Sequence, residues 1–235
     1  MDTAWTRRNF LSAAGVLATG SAVAGAADTA TEQSTAGSPK KILGICCSPR
    51  KGKSTAAVLR VCLDAVQAEL PQAEIELLEL AGLKIPGGPA AGVPLEAGEK
   101  DDFPALAPRL SDPSVAAIVI ATPVYFGNMS YLCKAFLDRW MVFFQDRLLA
   151  NKVAGAIAVG GARNGGQELT VRSVQVALMS QQMIVVGDAP PTGHWGGTAW
   201  SGAEGGVEKD ESGLATARNL GRRIAGVVKM LHSKE

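Results

Sequence analysis

A cluster of anion-binding residue types lies between an apolar run and a helical pattern. The segment Cys47–Thr55 reads CSPRKGKST, with three basic residues, a glycine and three hydroxyl side chains. It follows the apolar run Lys41–Cys46, so it connects a strand to the N-terminus of a helix. Backbone N–H groups and the helix dipole bind anions at such a position, and hydroxyl and basic side chains add donors. The segment therefore predicts a phosphate-binding loop.

Two other interpretations of this segment stay open. Gly52-Lys53-Ser54 matches the second half of a P-loop, but Cys47 stands where the motif needs its first glycine. The apolar run Val115–Ala121 is also followed by Thr122 and not by a magnesium-binding aspartate, which disfavours a P-loop nucleotide-binding protein. A solvated basic turn capped by Ser54 explains the residues singly but not their position in the chain.

Two further segments with unusual composition follow apolar runs. Thr122–Asn128 carries a proline and two aromatic residues, which suit the face of a flat ring, although the aromatics could instead fold back into the core. Gly160–Gly166 has four glycines in seven residues, which lets the backbone approach a ligand closely. It does not match G-x-G-x-x-G, so a Rossmann dinucleotide site is disfavoured. A phosphate loop, a ring-stacking loop and a close-approach loop together indicate a flavin mononucleotide (FMN) site.

The elements that must position these segments alternate between strand and helix. Five strands with intervening helices predict an α/β fold with a doubly wound parallel sheet in three layers. In such sheets ligands bind outside the carboxyl ends of the strands, where the three segments lie. The predicted strands are Lys41–Cys46, Glu74–Leu80, Val115–Ala121, Val153–Val159 and Met183–Val186, and the predicted helices are Thr55–Leu70, Met129–Phe144, Gln167–Gln181 and a C-terminal helix through Leu214 and Leu231.

Composition limits the classes of partner. The 235 residues are 47% hydrophobic, enough for a core, and the formal net charge is +1, which disfavours nucleic acid as a partner. The 27 glycines exceed the roughly 16 expected from an average usage of about 7%. They fall mainly in predicted loops. The four cysteines are too sparse for a disulfide scaffold.

The first residues are typical of an export signal. Arg7 and Arg8 precede Phe10 and a mildly apolar stretch that ends in an A-x-A pattern at Ala24-Gly25-Ala26. The paired arginines indicate the twin-arginine type, and a membrane anchor is disfavoured by the glycines and hydroxyls in the stretch. We expect a signal peptide at 1–26, a linker at 27–39, one domain at 40–235 and a periplasmic or other extracytoplasmic location. No membrane span is expected in the mature chain.

The domain resembles the flavodoxin-like NADPH-dependent FMN reductases, especially their iron–sulfur flavoprotein branch. The resemblance is carried by Ser48–Thr55, Thr122–Gly127, Lys134–Arg139 and Gly161–Glu168. It implies a flavodoxin-like fold and places Arg139 near a subunit interface, in a homodimer or homotetramer. Lys134 and Asp138 are expected to form a surface ion pair.

The resemblance also implies which residues bind the flavin. The phosphate is expected at the first segment, and the isoalloxazine ring between the second and third. The implied cofactor-binding residues are Ser48, Arg50, Lys53, Ser54 and Thr55 for the first segment, Pro123, Val124, Tyr125, Phe126, Gly127 and Asn128 for the second, and Gly161, Arg163, Asn164 and Gly165 for the third. No catalytic side chain is expected, since the flavin carries the chemistry.

One departure from the resemblance matters. The iron–sulfur branch has closely spaced cluster cysteines after the second strand, whereas Lys84–Pro94 contains none. The four cysteines present lack ligand spacing and are expected to be buried apolar side chains, so we predict no iron–sulfur cluster and no metal. His194 is expected either to cover the flavin edge or to be an ordinary loop residue.

The sequence thus predicts an FMN-dependent oxidoreductase that passes electrons from NAD(P)H to a quinone, flavin or similar acceptor. NADPH is expected to be scarce outside the cytoplasm, so a quinol or a redox protein is an alternative donor. A flavin-binding electron carrier without turnover of its own is the alternative function.

Overall fold

The computed structural model describes residues 40–232, and it confirms a flavodoxin-like three-layer fold. A parallel sheet forms the middle layer in the order β2-β1-β3-β5, and two short strands, β6 and β7, occupy its fifth position beside β5. This is the 2-1-3-4-5 order of flavodoxin-like proteins, whose ligand site lies where the order reverses, between β1 and β3. The parallel strands are β1 (Lys41–Cys46), β2 (Glu74–Glu79), β3 (Val115–Tyr125), β5 (Val153–Gly160), β6 (Ile184–Val185) and β7 (Gly197–Trp200).

Helices cover both faces of the sheet, which is why β3 and β5 are almost continuously apolar. On one face α1 and α6 pack over Ala117 and Val119, and on the other α2 to α5 pack over Ile118 and Ile120. The helices are α1 (Ser54–Glu69), α2 (Phe103–Ser111), α3 (Tyr131–Asp138), α4 (Met141–Phe144), α5 (Gln167–Ser180) and α6 (Glu211–His232). Single turns of 3₁₀ helix lie at Gly88–Ala91 and Val207–Lys209.

Two predicted elements, the central strand and the helix that follows it, differ from the structure. The central strand continues to Tyr125 and turns into the short antiparallel strand β4 (Asn128–Met129), so much of the predicted second loop is a β-hairpin. The prediction of one helix over Met129–Phe144 is wrong, because this segment forms two helices, α3 and α4, with a break between them. Trp140 lies at the break, where its ring packs edge-on against Phe136 and Phe143.

A further helix and a further strand were also not predicted. Helix α2 contains Pro104 and Pro108, which hide its helical pattern. Strand β7 lies in a glycine-rich stretch, and its outer edge is satisfied by side chains. Trp200 N donates to Asp210 Oδ2 over 2.7 Å, and Thr198 N donates to Thr216 Oγ1 over 2.9 Å.

The predicted signal peptide at 1–26 and linker at 27–39 lie outside the described residues. Within residues 40–232, no helix combines the length and the hydropathy needed to cross a bilayer.

Candidate functional site

The site is built from three connections at the carboxyl edge of the sheet. We call them loop 1 (Cys47–Lys53, between β1 and α1), the hairpin turn (Phe126–Gly127, between β3 and β4) and loop 3 (Gly161–Gly166, between β5 and α5). Ser130 joins loop 1 to the hairpin, since its Oγ donates to the Cys47 carbonyl over 2.7 Å and its N–H donates to Thr122 Oγ1 over 3.0 Å. These bonds fix loop 1 beside the hairpin at the β1/β3 reversal point.

Loop 1 presents the features of an anion site. Lys53 is the N-cap of α1, and no side chain caps the helix there. Within residues 40–232, no side chain pairs with Arg50, Lys51 or Lys53, and all three are exposed. An uncapped N-terminus of a 16-residue helix beside three unpaired cations fits a phosphate.

The hydroxyl groups of loop 1 divide into two kinds. Ser48 is buried and its Oγ accepts from Arg50 N over 3.1 Å, so this hydroxyl shapes the loop. Thr55 is also buried, whereas Ser54 is half-buried at the start of the helix. Of the predicted phosphate-binding hydroxyls, the side chain of Ser54 is therefore the most accessible.

The hairpin turn holds its aromatic residues outside the core. Phe126 and Gly127 have φ values of +51° and +75°, as in a two-residue turn of type I′. Pro123 is buried in β3, Tyr125 is exposed and Phe126 is fully exposed. The alternative in which both aromatics fold back into the core is therefore wrong.

Loop 3 approaches the hairpin so closely that it needs glycine at position 166. A Cβ on Gly166 would lie 2.8 Å from the Cα of Gly127, and Gly166 has φ +93°. The side chain of Gln167 fixes the loop, because Oε1 accepts from Gly165 N over 2.9 Å and Nε2 donates to the Ala162 carbonyl over 2.6 Å. All three connections thus meet along one edge, as the arrangement of a flat-ring site requires.

Comparison with known proteins identifies the family. Residues 40–196 match the family model of the NADPH-dependent FMN reductases. The chain belongs to this family.

The alignments of this chain with its relatives extend over most of the domain. An iron–sulfur flavoprotein of Methanocaldococcus jannaschii is 38% identical over 81% of this chain and 98% of its own length. An NAD(P)H dehydrogenase (quinone) of Chromohalobacter salexigens is 32% identical over 67% of this chain and 83% of its own. Among solved structures, a flavodoxin, WrbA-like protein from Agrobacterium tumefaciens has a TM-score of 0.58 at 19% identity, covering 82% of this chain and 99% of its own, which supports the fold.

Part of loop 3 contacts strand β7. The Arg163 guanidinium lies 4.6 Å from the centre of the Trp200 ring, whose Nε1 donates to the Gly161 carbonyl over 3.1 Å. Arg163 and Asn164 line a cavity of about 500 Å³, together with His194. His194 is held by a bond from its N–H to Asp188 Oδ1 over 2.6 Å. The structure therefore directs the side chain of Arg163 toward β7, although its backbone borders the site.

The segment between β2 and α2 is held by a buried ion pair. Arg139 Nη2 lies 2.7 Å from Asp101 Oδ2, and Nη1 donates to the Pro86 carbonyl over 3.0 Å. The guanidinium also lies over the Phe103 ring. Arg139 is thus buried and engaged within its own chain, and its predicted place near a subunit interface stays a prediction. Lys134 and Asp138 form the expected exposed ion pair.

All four cysteines are buried, as predicted. Burial raises the pKa of Cys46 to about 11 and that of Cys62 to about 12, and burial together with contact from Cys133 raises the pKa of Cys47. These thiols stay protonated at neutral pH, and thiols of this kind are poor ligands and nucleophiles. Among residues 40–232, no group of three or more His, Cys, Asp or Glu side chains is arranged to hold a metal ion.

Several residues that build the site escaped the sequence analysis. Ser130 and Trp200 act through contacts to backbone groups that are distant in the sequence, and Gln167 acts through contacts within loop 3. A signal existed only for Ser130, because a serine before an apolar periodic run is typical of a helix N-cap, and Ser130 Oγ indeed accepts from Cys133 N.

Proposed function

We propose that this FMN-dependent oxidoreductase takes electrons from NAD(P)H or another reduced donor and passes them to a quinone, a flavin or a similar acceptor. The observation that carries the proposal is that the uncapped α1 N-terminus, the hairpin turn and loop 3 lie at the same carboxyl edge of the sheet, where Ser130 joins loop 1 to the hairpin and Gly166 of loop 3 lies against Gly127. Groups that can bind an anion and backbone that a ligand can approach closely therefore share one edge. FMN carries a phosphate and a flat ring on one molecule, so its binding needs both of these features.

The residues of the chain would bind and orient FMN. The N–H groups of the first turn of α1, with Arg50, Lys53 and Ser54, would hold the phosphate, which charge-assisted hydrogen bonds favour. The hairpin from Pro123 to Asn128 and the backbone from Gly161 to Gly165 would border the ring. Bound FMN would supply the redox chemistry, and the chain has no need of a separate catalytic acid or base.

We propose that this chain carries no iron–sulfur cluster, unlike its relatives with that name. The 84–102 segment contains no cysteine, and the ion pair between Arg139 and Asp101 lies there. The four cysteines are buried on separate elements. Iron analysis of the purified protein is expected to find none, and about four irons per chain would contradict the proposal.

The physiological donor depends on where the protein acts. The predicted twin-arginine signal favours an extracytoplasmic, periplasmic location, where a quinol or a redox protein would replace NADPH as donor. The same observation favours a second candidate function, an exported electron carrier. Multiple turnovers driven by NAD(P)H would support the enzyme, whereas reduction only by a partner protein would support the carrier.

The absorption spectrum of the purified protein tests the core of the proposal. We expect a yellow protein with flavin bands, or a colourless one that acquires them when FMN is added. A protein that shows no flavin bands after addition of FMN would contradict it, and tight magnesium-dependent binding of ATP by such a protein would favour a P-loop function.

We also propose a homodimer or homotetramer of the chain. Large apolar side chains are exposed on the outer surfaces of α3, α4 and α5, among them Tyr131, Met141, Val176 and Met179. Such a concentration is typical of a surface that a partner covers. Sedimentation velocity is expected to give a dimer or a tetramer, and a monomer at about 10 µM, a concentration at which an obligate oligomer stays assembled, would contradict this.

A further inference from the structure

Glu79 is a carboxylate that reaches from the end of β2 into loop 1. It is the last residue of β2 and lies beside Cys46, the last residue of β1. Its Oε2 accepts from Gly52 N over 2.7 Å, and its Oε1 lies 3.7 Å from Arg60 Nη2. Only 12% of the Glu79 side chain is exposed. A nearly buried carboxylate therefore lies at the loop that is proposed to bind an anion.

The bond to Glu79 holds a residue that packing does not hold. Gly52 has φ +64°, and a Cβ built on it would have no atom within 4 Å. A hydrogen bond from an N–H to a carboxylate is stronger than one between neutral groups. The conformation of the glycine just before the N-cap of α1 therefore depends on Glu79.

The charges around Glu79 limit the cost of a carboxylate near a phosphate. Arg60 on α1 faces it on one side, and the positive end of the α1 dipole lies close by. The carboxylate uses the N–H of Gly52 and makes no bond to the first-turn N–H groups of α1, at Ser54 and Thr55. Those N–H groups are left for a ligand.

We infer that Glu79 is a positioning residue for the phosphate of the bound flavin, acting by holding Gly52 so that the first turn of α1 faces the ligand. This inference rests on the proposed function. In the opposite role, Glu79 competes with the ligand: its carboxylate occupies the place of the phosphate and is displaced when FMN binds. The two roles predict opposite changes in affinity.

Three substitutions of Glu79 separate these roles in full-length protein freed of flavin and titrated with FMN and with riboflavin. Glu79→Gln keeps an oxygen acceptor for Gly52 and is expected to stay within about threefold of the native affinity for FMN. Glu79→Ala removes the acceptor and Glu79→Asp shortens its reach, so each is expected to lose FMN affinity by about tenfold or more, with less than about a threefold loss for riboflavin.

Glu76→Ala is the matched control, because Glu76 lies on the same strand and pairs with Arg109, away from loop 1. It is expected to change neither affinity. Tighter FMN binding in the Gln, Ala and Asp variants would overturn the inference in favour of competition, and equal losses for FMN and riboflavin would reduce Glu79 to a structural residue. If Glu79→Ala does not fold, the Gln and Asp variants still decide the matter.

The native protein distinguishes failure of this inference from failure of the proposed function. If the native chain binds neither flavin, the proposed function is wrong. If it binds FMN with more affinity than riboflavin and none of the Glu79 variants changes that preference, only the role of Glu79 is wrong.

Discussion

Two groups of cations in this protein have opposite environments. Arg139 and Lys152 are buried and fully engaged, the first with Asp101 and the Pro86 carbonyl, the second with the carbonyls of Asp112 and Val115, each 2.8 Å from Nζ. The side chains of the loop 1 cations at 50, 51 and 53 are exposed and pair with no side chain in the 40–232 range. Buried cations complete the fold, whereas those at loop 1 are available to a ligand.

This difference separates stability from binding. Removing the partner of a buried cation leaves an uncompensated charge, which costs several kcal/mol of folding free energy. Removing an exposed, unpaired cation changes the folding free energy of the apoprotein very little, because that cation is hydrated in both the folded and the unfolded chain. The free energy of unfolding therefore tests the buried cations, and flavin affinity tests the cations of loop 1. Each measurement is insensitive to the other group.

The largest effect is expected at the buried ion pair. Asp101→Ala leaves Arg139 buried without its carboxylate and is expected to lower the free energy of unfolding by about 3–5 kcal/mol. Asp138→Ala breaks the exposed pair with Lys134 and is expected to cost less than about 1 kcal/mol. Urea unfolding followed by circular dichroism measures both. Similar losses in the two variants would remove the distinction between buried and exposed pairs.

Loop 1 is expected to show the reverse pattern. Arg50→Ala and Ser54→Ala should each weaken FMN binding by about 10- to 100-fold and riboflavin binding much less, because the lost charge-assisted bonds are made only to the phosphate. The stability of the apoprotein should change by less than about 0.5 kcal/mol. Fluorescence titration with the two flavins measures the affinities.

Lys229→Ala is the charge-matched control for Arg50→Ala. Lys229 lies near the C-terminal end of α6, where it pairs with Glu69. It is expected to leave both flavin affinities unchanged. Equal losses of FMN and riboflavin affinity in the loop 1 variants would contradict the assignment of the phosphate to this loop.

The smallest effect is a pH dependence from Lys152. Burial lowers its pKa from 10.5 to about 8, against the opposing charge of Asp112. Between about pH 8 and about pH 10 the unfolded chain therefore binds more protons at this residue than the folded chain, so its contribution to stability rises with pH. The free energy of unfolding of the native protein, minus that of Lys152→Met, is expected to increase across this window.

Subtracting the variant removes the contribution of the cysteines, whose raised pKa values act in the opposite direction at high pH. A difference that stays flat from about pH 8 to about pH 10 would show that Lys152 keeps an ordinary pKa in the folded protein.

The elements that the sequence predicted well have strong local signals. β1 and α1 agree with the apolar run Lys41–Cys46 and the helical spacing after it to within one residue. The long apolar run of β3 identified the central strand, but its extension to Tyr125 depends on pairing of Pro123 with Val159 and of Tyr125 with Asn128. Because such partners lie on other strands, the residues at the end of β3 carry no sequence pattern that predicts the pairing.

The elements that the sequence missed depend on packing or have contrary local signals. The two prolines of α2 argue against a helix in any local interpretation. Strand β7 forms because β5 offers a free edge and the side chains of Asp210, just before α6, and Thr216, on α6, satisfy the other edge. The break after α3 follows from the packing of Trp140 among Phe136 and Phe143. None of these causes is local.

The alternation of strands and helices and the position of the basic helix N-terminus follow from the sequence alone, because both are properties of neighbouring residues. Which cations are engaged, and what holds loop 1, depends on the tertiary structure, because the interacting groups are remote in the chain. Asp101 is 38 residues from Arg139, Asp112 is 40 residues from Lys152, and Glu79 is 27 residues from Gly52. The fold brings these partners together, and among residues 40–232 it provides no side-chain partner for the cations of loop 1.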